Sequence, residues 1–390
     1  MSSLSFDNTE IAFQHKTDRD LRKARWLFSM FNYKWMIKWG PSLSVLALKL
    51  RIPVKGLIRS TIFNQFCGGE SIAECKETAS NLYQSGVGAI LDYSVEGADD
   101  EAGYDANYHE LKRTIETAIG RDEFPFAVFK MTGIARFNLL EKVHRKDELT
   151  ASEQSEWERV KNRFIGLCEH AATHGVRLFI DAEDSWIQDP IDLLAMEMMK
   201  KFNQKEVLIF NTLQMYRKDR LDFLKSNLEY AAEHQFKLGF KLVRGAYMEK
   251  ERERAAEFNY PSPIQDTKED TDRDYDAAVA LCFEHRDRVA VCVGSHNEKS
   301  NRLLAELIGK SSEEAADERF WFAQLYGMSD NISFNLANAG YNVAKYLPYG
   351  PIKAVMPYLG RRAQENSSVS GQVGREMSLI LKELNRRSSR

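Results

Sequence analysis

Short apolar runs recur along most of the chain, each followed by a charged stretch. The runs are Leu57–Phe66, Val87–Val95, Phe124–Ile134, Val176–Asp184, Glu206–Tyr216, Lys237–Tyr247, Arg288–His296 and Arg319–Met328. Each is too short for a helix, and stretches between them such as Arg217–His234 and Asn297–Leu307 have helical spacing. Eight βα units predict a closed parallel (β/α)8 barrel of the TIM type, because right-handed crossovers leave few other ways to bury a parallel sheet. Residues 136–172 interrupt the rhythm with an insertion of two helices between the third and fourth runs. After the eighth run the chain passes through a polar connection to Tyr346–Asn366. No linker of Pro, Gly and Ser separates domains. The expected organisation is an N-terminal helical arm over 1–56 and one barrel over 57–390, distorted at its last helix.

In such barrels the chemistry sits at the C-terminal ends of the strands. Those ends carry Glu70, Asp92, Glu96, Lys130, Asp181, Gln214, Lys241, Arg244, His296 and Gln324. Any one of them is ordinary loop chemistry; their convergence predicts a polar pocket. Near the C-terminus, Pro357 suits the first position of a short helix. Tyr358, Arg361, Arg362 and Glu365 then follow at i, i+3, i+4 and i+7 and share one face. A stripe of that kind is either solvated or holds a ligand, and two adjacent guanidiniums suit a small carboxylate.

Composition narrows the choices. Hydrophobic residues at 43% and charged residues at 28% are those of a soluble globular protein, and a net charge of −3 gives no bulk attraction to nucleic acid. The cysteines, Cys67, Cys75, Cys168, Cys282 and Cys292, show no CxxC spacing, so neither a disulfide framework nor a structural zinc site is expected, and the compartment is expected to be reducing. His296 has no partner at ligand spacing, which argues against a catalytic metal. No GxSxG occurs, and Gly86-Val-Gly88 precedes a strand and lacks the third glycine of a dinucleotide fingerprint. No apolar run reaches the ~18 residues of a spanning helix, and the first residues lack the basic and apolar regions of a signal peptide. A cytoplasmic location is expected. Residues 21–60 nevertheless carry nine Lys/Arg and no Asp or Glu, interleaved with Trp26, Trp35 and Trp39. Such a segment either lies peripherally on an anionic inner membrane or packs under the main domain with its lysine stems extended.

From about Leu57 to Ser368 the chain resembles the proline dehydrogenase family. The resemblance is carried by Ala89-Ile-Leu-Asp-Tyr93, Asp181-Ala-Glu183, Asn211-Thr-Leu-Gln-Met-Tyr216, Lys241-Leu-Val-Arg-Gly-Ala-Tyr247, Gly294-Ser-His-Asn297, Gln324-Leu-Tyr-Gly-Met328 and the Tyr346–Asn366 stretch. The wording is closer to the monofunctional, mitochondrial-type branch than to bifunctional proline utilization A. The resemblance implies FAD-dependent oxidation of L-proline to Δ1-pyrroline-5-carboxylate, with electrons passed to ubiquinone or menaquinone and the product to a separate dehydrogenase. It implies that Lys130, Arg361 and Arg362 pair with the substrate carboxylate, and that Tyr346, Tyr358 and Leu325 wall the ring. Glu70 would pair with Arg361 as a gate, and Asp181 would orient Tyr346 and its neighbours. Gln214, Lys241, Val243, Gly245, Tyr247, His296, Asn297 and Glu365 would hold FAD. Lys241 stands where some members carry Arg, and Met248 where some carry Trp. Two other functions compete: hydroxyproline oxidation on the same scaffold, which the bulky Tyr346 disfavours, and a proline or flavin sensor without turnover.

Overall fold

Seven of the predicted strands form inside their apolar runs, because short runs buried on both faces are what a parallel sheet requires. They are β1 (Val87–Tyr93), β2 (Phe126–Lys130), β3 (Leu178–Asp181), β4 (Ile209–Gln214), β5 (Leu238–Val243), β6 (Val289–Gly294) and β7 (Phe320–Leu325). The eighth is β8 (Val343–Tyr349), which pairs in parallel with β1, Ile90 lying opposite Tyr346. The strands close in chain order into an eight-stranded parallel barrel. The computed structural model describes residues 4–30, 50, 52–95, 100–309, 312–368 and 372–389.

Two expectations are corrected. Leu57–Phe66 is not a strand. It forms most of a helical segment, Lys55–Ile58, a π-turn over Arg59–Phe63 and a last turn over Asn64–Phe66. The π-turn places Ile58 and Phe63, five residues apart, on one buried side together with Phe66. Every predicted strand number therefore falls by one, and the place of the eighth is taken by Val343–Tyr349, which joins the end of the polar connection to the start of the Tyr346–Asn366 stretch. The C-terminal helix also begins earlier than Pro357. It runs over Ile352–Ser368 with Pro357 inside it, and the carbonyl of Pro351 accepts from Ala354 and Val355 in the first turn.

The chain divides into two compact units, residues 1–97 with 324–390, and residues 98–323. In the second, Phe126, Phe179, Phe210 and Trp321 lie on four strands and contact one another, Phe126 stacking on Phe179 at 4.2 Å and meeting Trp321 edge-on at 5.1 Å. Side chains two residues apart on a strand share a face. Two residues above Phe179 and Phe210, the register sets Lys130, Asp181, Thr212 and Lys241 side by side at one level. The 136–172 segment contributes the helices Phe137–Arg145 and Ala151–Thr173, the second opened by a Thr150–Glu153 capping box and joined to the first by Lys142–Glu153 and Arg136–Glu156 pairs.

In the first unit the N-terminal residues form helices Thr9–Phe13 and Asp18–Met30. Their apolar side, Phe13, Leu21, Ala24 and Phe28, shares a core with Phe63, Phe66, Val355, Leu359 and Leu379. Lys and Arg residues of the second helix face outward beside the half-exposed Trp26. Residues 31–49 and 51 of the basic segment, and Glu96, lie outside the described residues. Among the described residues, no helix is long and apolar enough to cross a membrane, and no group of His, Cys, Asp and Glu is placed to hold a metal ion.

Candidate active site

Lys130 ends β2 directly opposite Asp181, which ends β3. Parallel pairing puts both at the same level, and the Lys130 ammonium stands 3.5 Å from Asp181 Oδ2. Lys241 on β5 reaches the other carboxylate oxygen of Asp181 in a close ion pair and sits 5.2 Å over the Phe179 ring. One carboxylate therefore holds two ammoniums above the aromatic floor. Lys241 is buried, while Lys130 keeps more than a quarter of its side-chain surface. Thr212, opposite Lys241 on β4, has a buried hydroxyl with no hydrogen-bond partner. A buried cation beside an unsatisfied hydroxyl is an arrangement that accepts a polar ligand.

Gln214, two residues along from Thr212, is locked by the backbone. Its amide donates to the Glu183 carbonyl at 2.7 Å, and its oxygen accepts from Ala246 N–H at 3.4 Å. Glu183 was not singled out by sequence reasoning. Its carboxylate accepts from Thr132 N–H at 2.9 Å and from the Thr132 hydroxyl, which ties the turn just after Lys130 to the end of β3. Burial pushes its carboxyl up to about 7, against the hydrogen bonds from Thr132 and the charge of Lys130. Only the distance of Thr132 from Glu183 in the sequence concealed this link.

Along Lys241–Met248 the chain climbs from the interior to solvent: Lys241 is buried, Val243 and Tyr247 are half-buried, and Gly245 and Met248 are exposed. Gly245 has φ +135°, and a Cβ there would lie 2.2 Å from the Tyr216 ring, so only glycine fits. Arg244 points away from this path to Asp272, Ser295 and Ser300, which makes it a structural residue. His296 is half-buried after β6, and the Asn297 side chain caps the following helix by accepting from Lys299 and Ser300.

In the other unit, Tyr346 is buried on β8 and Tyr358 on the Ile352–Ser368 helix. Arg362 is buried, its guanidinium 5.2 Å from the Tyr358 ring, and Arg361 is half-buried. The side chain of Glu365 lies outside the described residues. Leu325 ends β7; its neighbour Gln324 accepts from Ser333, so the two side chains point to opposite faces. Glu70 follows no strand, yet Gly69 bridges to Tyr349 at the end of β8. There Glu70 pairs with Lys55 and Arg59 at 3.1 Å and accepts from Ile352 N–H.

The sequence profile described as proline dehydrogenase matches residues 75–375. The chain belongs to the proline dehydrogenase family. It is thereby an oxidoreductase acting on proline. It is similar to proline dehydrogenase 1, mitochondrial, of Arabidopsis thaliana, at 33% identity over 86% of this chain and 76% of that protein. It is also similar to the carbapenem antibiotics biosynthesis protein CarD of Pectobacterium carotovorum, at 38% identity over 85% and 86%. The hydroxyproline dehydrogenase of Xenopus laevis is 29% identical over 99% of this chain and 90% of its own. Among solved structures, proline utilization A of Bdellovibrio bacteriovorus superposes with a TM-score of 0.74 at 19% identity, covering 95% of this chain and 43% of that one. At that identity the likeness shows the fold alone.

Proposed function

We propose that this proline dehydrogenase family member binds L-proline above the Asp181 carboxylate and oxidises it to Δ1-pyrroline-5-carboxylate with FAD as cofactor. When bound, the flavin would supply the acceptor for the hydride lost from substrate C5. The protein's part is positioning and electrostatics. Lys130, Arg361 and Arg362 pair with the substrate carboxylate, while Tyr346, Tyr358 and Leu325 wall the ring. Glu70 serves as a gate. The path from Lys241 to Tyr247 suits a cofactor with a buried ring and an exposed tail, and the unsatisfied Thr212 hydroxyl and fixed Gln214 amide fit a polar ring edge. His296, Asn297 and Glu365 complete the cofactor set, and Asp181 orients its neighbours through its two lysines. Electrons then pass to a quinone, and the product to a separate dehydrogenase.

The observation that carries the reading is the pair of lysines held by Asp181 over an aromatic floor, at the C-terminal ends of barrel strands in a chain of this family. The experiment is the visible spectrum of the purified protein before and after anaerobic addition of L-proline, with trans-4-hydroxy-L-proline in parallel. Bleaching of a flavin band by proline is the expected result. A protein without a flavin band, or one that neither substrate bleaches, overturns the reading. Similarity to a hydroxyproline dehydrogenase along nearly the whole chain motivates the parallel arm; bleaching by hydroxyproline alone reassigns the substrate.

A further inference from the structure

The loop after β7, Tyr326–Ser329, is held more firmly than a surface turn requires. Two of its residues take positive φ, Gly327 at +77° and Ser329 at +52°. A Cβ on Gly327 would lie 1.8 Å from the Gln65 carbonyl oxygen, while the Gln65 amide donates to the Gly327 carbonyl at 2.8 Å. Ser329 N–H donates to Glu376 of the C-terminal helix at 2.5 Å, and Tyr326 N–H to the Tyr346 carbonyl at 2.9 Å. Strained backbone persists only where its surroundings over-determine it.

At the centre of this clamp is Lys345. Its side chain is fully buried on the face of β8 opposite that of its neighbour Tyr346. It donates to the Met328 carbonyl and to that of Leu325 at 3.5 Å, and pairs with Asp330 at 2.9 Å. Asp330 opens the helix Asp330–Asn338 and is itself buried. It pairs also with Lys16 at 2.6 Å, and His15 lies 3.6 Å away, stacked on Phe334. The charged groups facing one another are thus Lys16, Lys345, Asp330 and Glu376, with His15 pushed down to about 4 by burial. The cations hold the Asp330 carboxyl far below the usual carboxylate range, and burial lowers Lys345 while raising Glu376. Lys16 and Glu376 both lie outside the 75–375 span of the family match.

A buried ion pair contributes little net stability, because desolvating both partners offsets their attraction. An apolar pair of the same volume would hold the helix to the strand equally well. What it would not do is place donors on the carbonyls of Leu325 and Met328. We propose that Lys345 and Asp330, closed by Lys16 of the N-terminal arm, are positioning residues that set the β7 loop and thereby the Leu325 wall of the substrate pocket. The inference rests on the reading that Leu325 and Tyr346 touch the substrate ring. It makes the arm part of the pocket's specificity.

The test compares kcat and KM for L-proline and trans-4-hydroxy-L-proline, together with the melting temperature, in Lys345→Met, Lys16→Met and Leu325→Ala. The partly exposed Lys16→Met reads the coupling even where Lys345→Met fails to fold. Both lysine variants are expected to lower kcat/KM for proline by about tenfold to a hundredfold, the scale of an ångström-level misplacement, and to shift the proline-to-hydroxyproline ratio in the same direction as Leu325→Ala. A lowered melting temperature with an unchanged ratio in the lysine variants, against a shifted ratio in Leu325→Ala, overturns the inference and leaves the substrate wall standing. An unchanged ratio in Leu325→Ala removes the wall assignment and the inference with it.

Discussion

Glu183 shows how much a single buried carboxyl can organise. Its side chain holds the Thr132 turn and its carbonyl holds the Gln214 amide, so one residue joins the proposed carboxylate-binding lysine to the proposed flavin-binding strand. Burial keeps its carboxyl near 7 rather than the 4.5 of an ordinary glutamate. The folded state therefore binds the proton more tightly than the unfolded chain, and this group's contribution is most favourable below the unfolded pKa. It is lost as pH rises from about 4.5 to about 7. Glu183→Gln cannot ionise and keeps an acceptor for Thr132 N–H. The melting temperature of the variant relative to wild type is thus expected to climb with pH across this window; a difference that stays flat or falls contradicts the assignment. Sequence reasoning marked Asp181 from the same Asp-Ala-Glu motif but passed over Glu183, because a carboxylate past a strand end reads the same whether solvated or bonded to a turn contributed by another strand.

At the scale of elements, two segments were misread, each for its own local reason. Leu57–Phe66 is rich in Ile, Thr and Phe, which favour strands, and a short apolar run does not reveal its own period. A strand would turn Phe63 and Phe66 to opposite faces; the helix with its π-turn buries both. Phe63→Ala and Phe66→Ala are each expected to cost about 3–5 kcal/mol of stability, measured by denaturant unfolding, and a neutral result at either position contradicts the shared core. The true last strand was hidden by Lys345 and Pro348, a charge and a strand-breaking residue inside seven positions that are all buried. The charge is tolerable because Asp330 reaches it, and Asp330 is invisible to a local window. The two insertion helices, by contrast, were legible in outline, since Thr150 and Glu153 form a capping box that is local in sequence.

For the whole molecule, the N-terminal arm takes part in two sets of contacts. Its apolar side lies in the core with Phe63, Phe66 and Val355, and Lys16 closes the Asp330 cluster. Its outer side carries Arg22, Lys23 and Arg25 with Trp26, which is half exposed. Basic residues around an exposed indole are what an anionic membrane surface attracts, and a quinone acceptor would be dissolved there. Replacing Arg22, Lys23 and Arg25 by Glu, with Trp26→Ser, leaves the buried side untouched. That variant is expected to lose co-sedimentation with vesicles containing anionic lipid while keeping its melting temperature. Undiminished binding would remove this helix as the docking patch.

The sequence by itself determined the βα rhythm, hence the barrel, because strand and helix periods are local properties written in consecutive residues. It also determined the chemistry at most strand ends, since parallel pairing brings every C-terminal end to one side whatever the register; Lys130, Asp181, Gln214 and Lys241 needed only that rule. Tertiary structure alone decided which segment closes the barrel, that one carboxylate serves both Lys130 and Lys241, that Glu183 bonds Thr132, and that Lys16 meets Asp330. Each of these is a pairing of polar groups far apart in the chain. A buried charge takes its meaning from its partner, and the chain names that partner only when it folds.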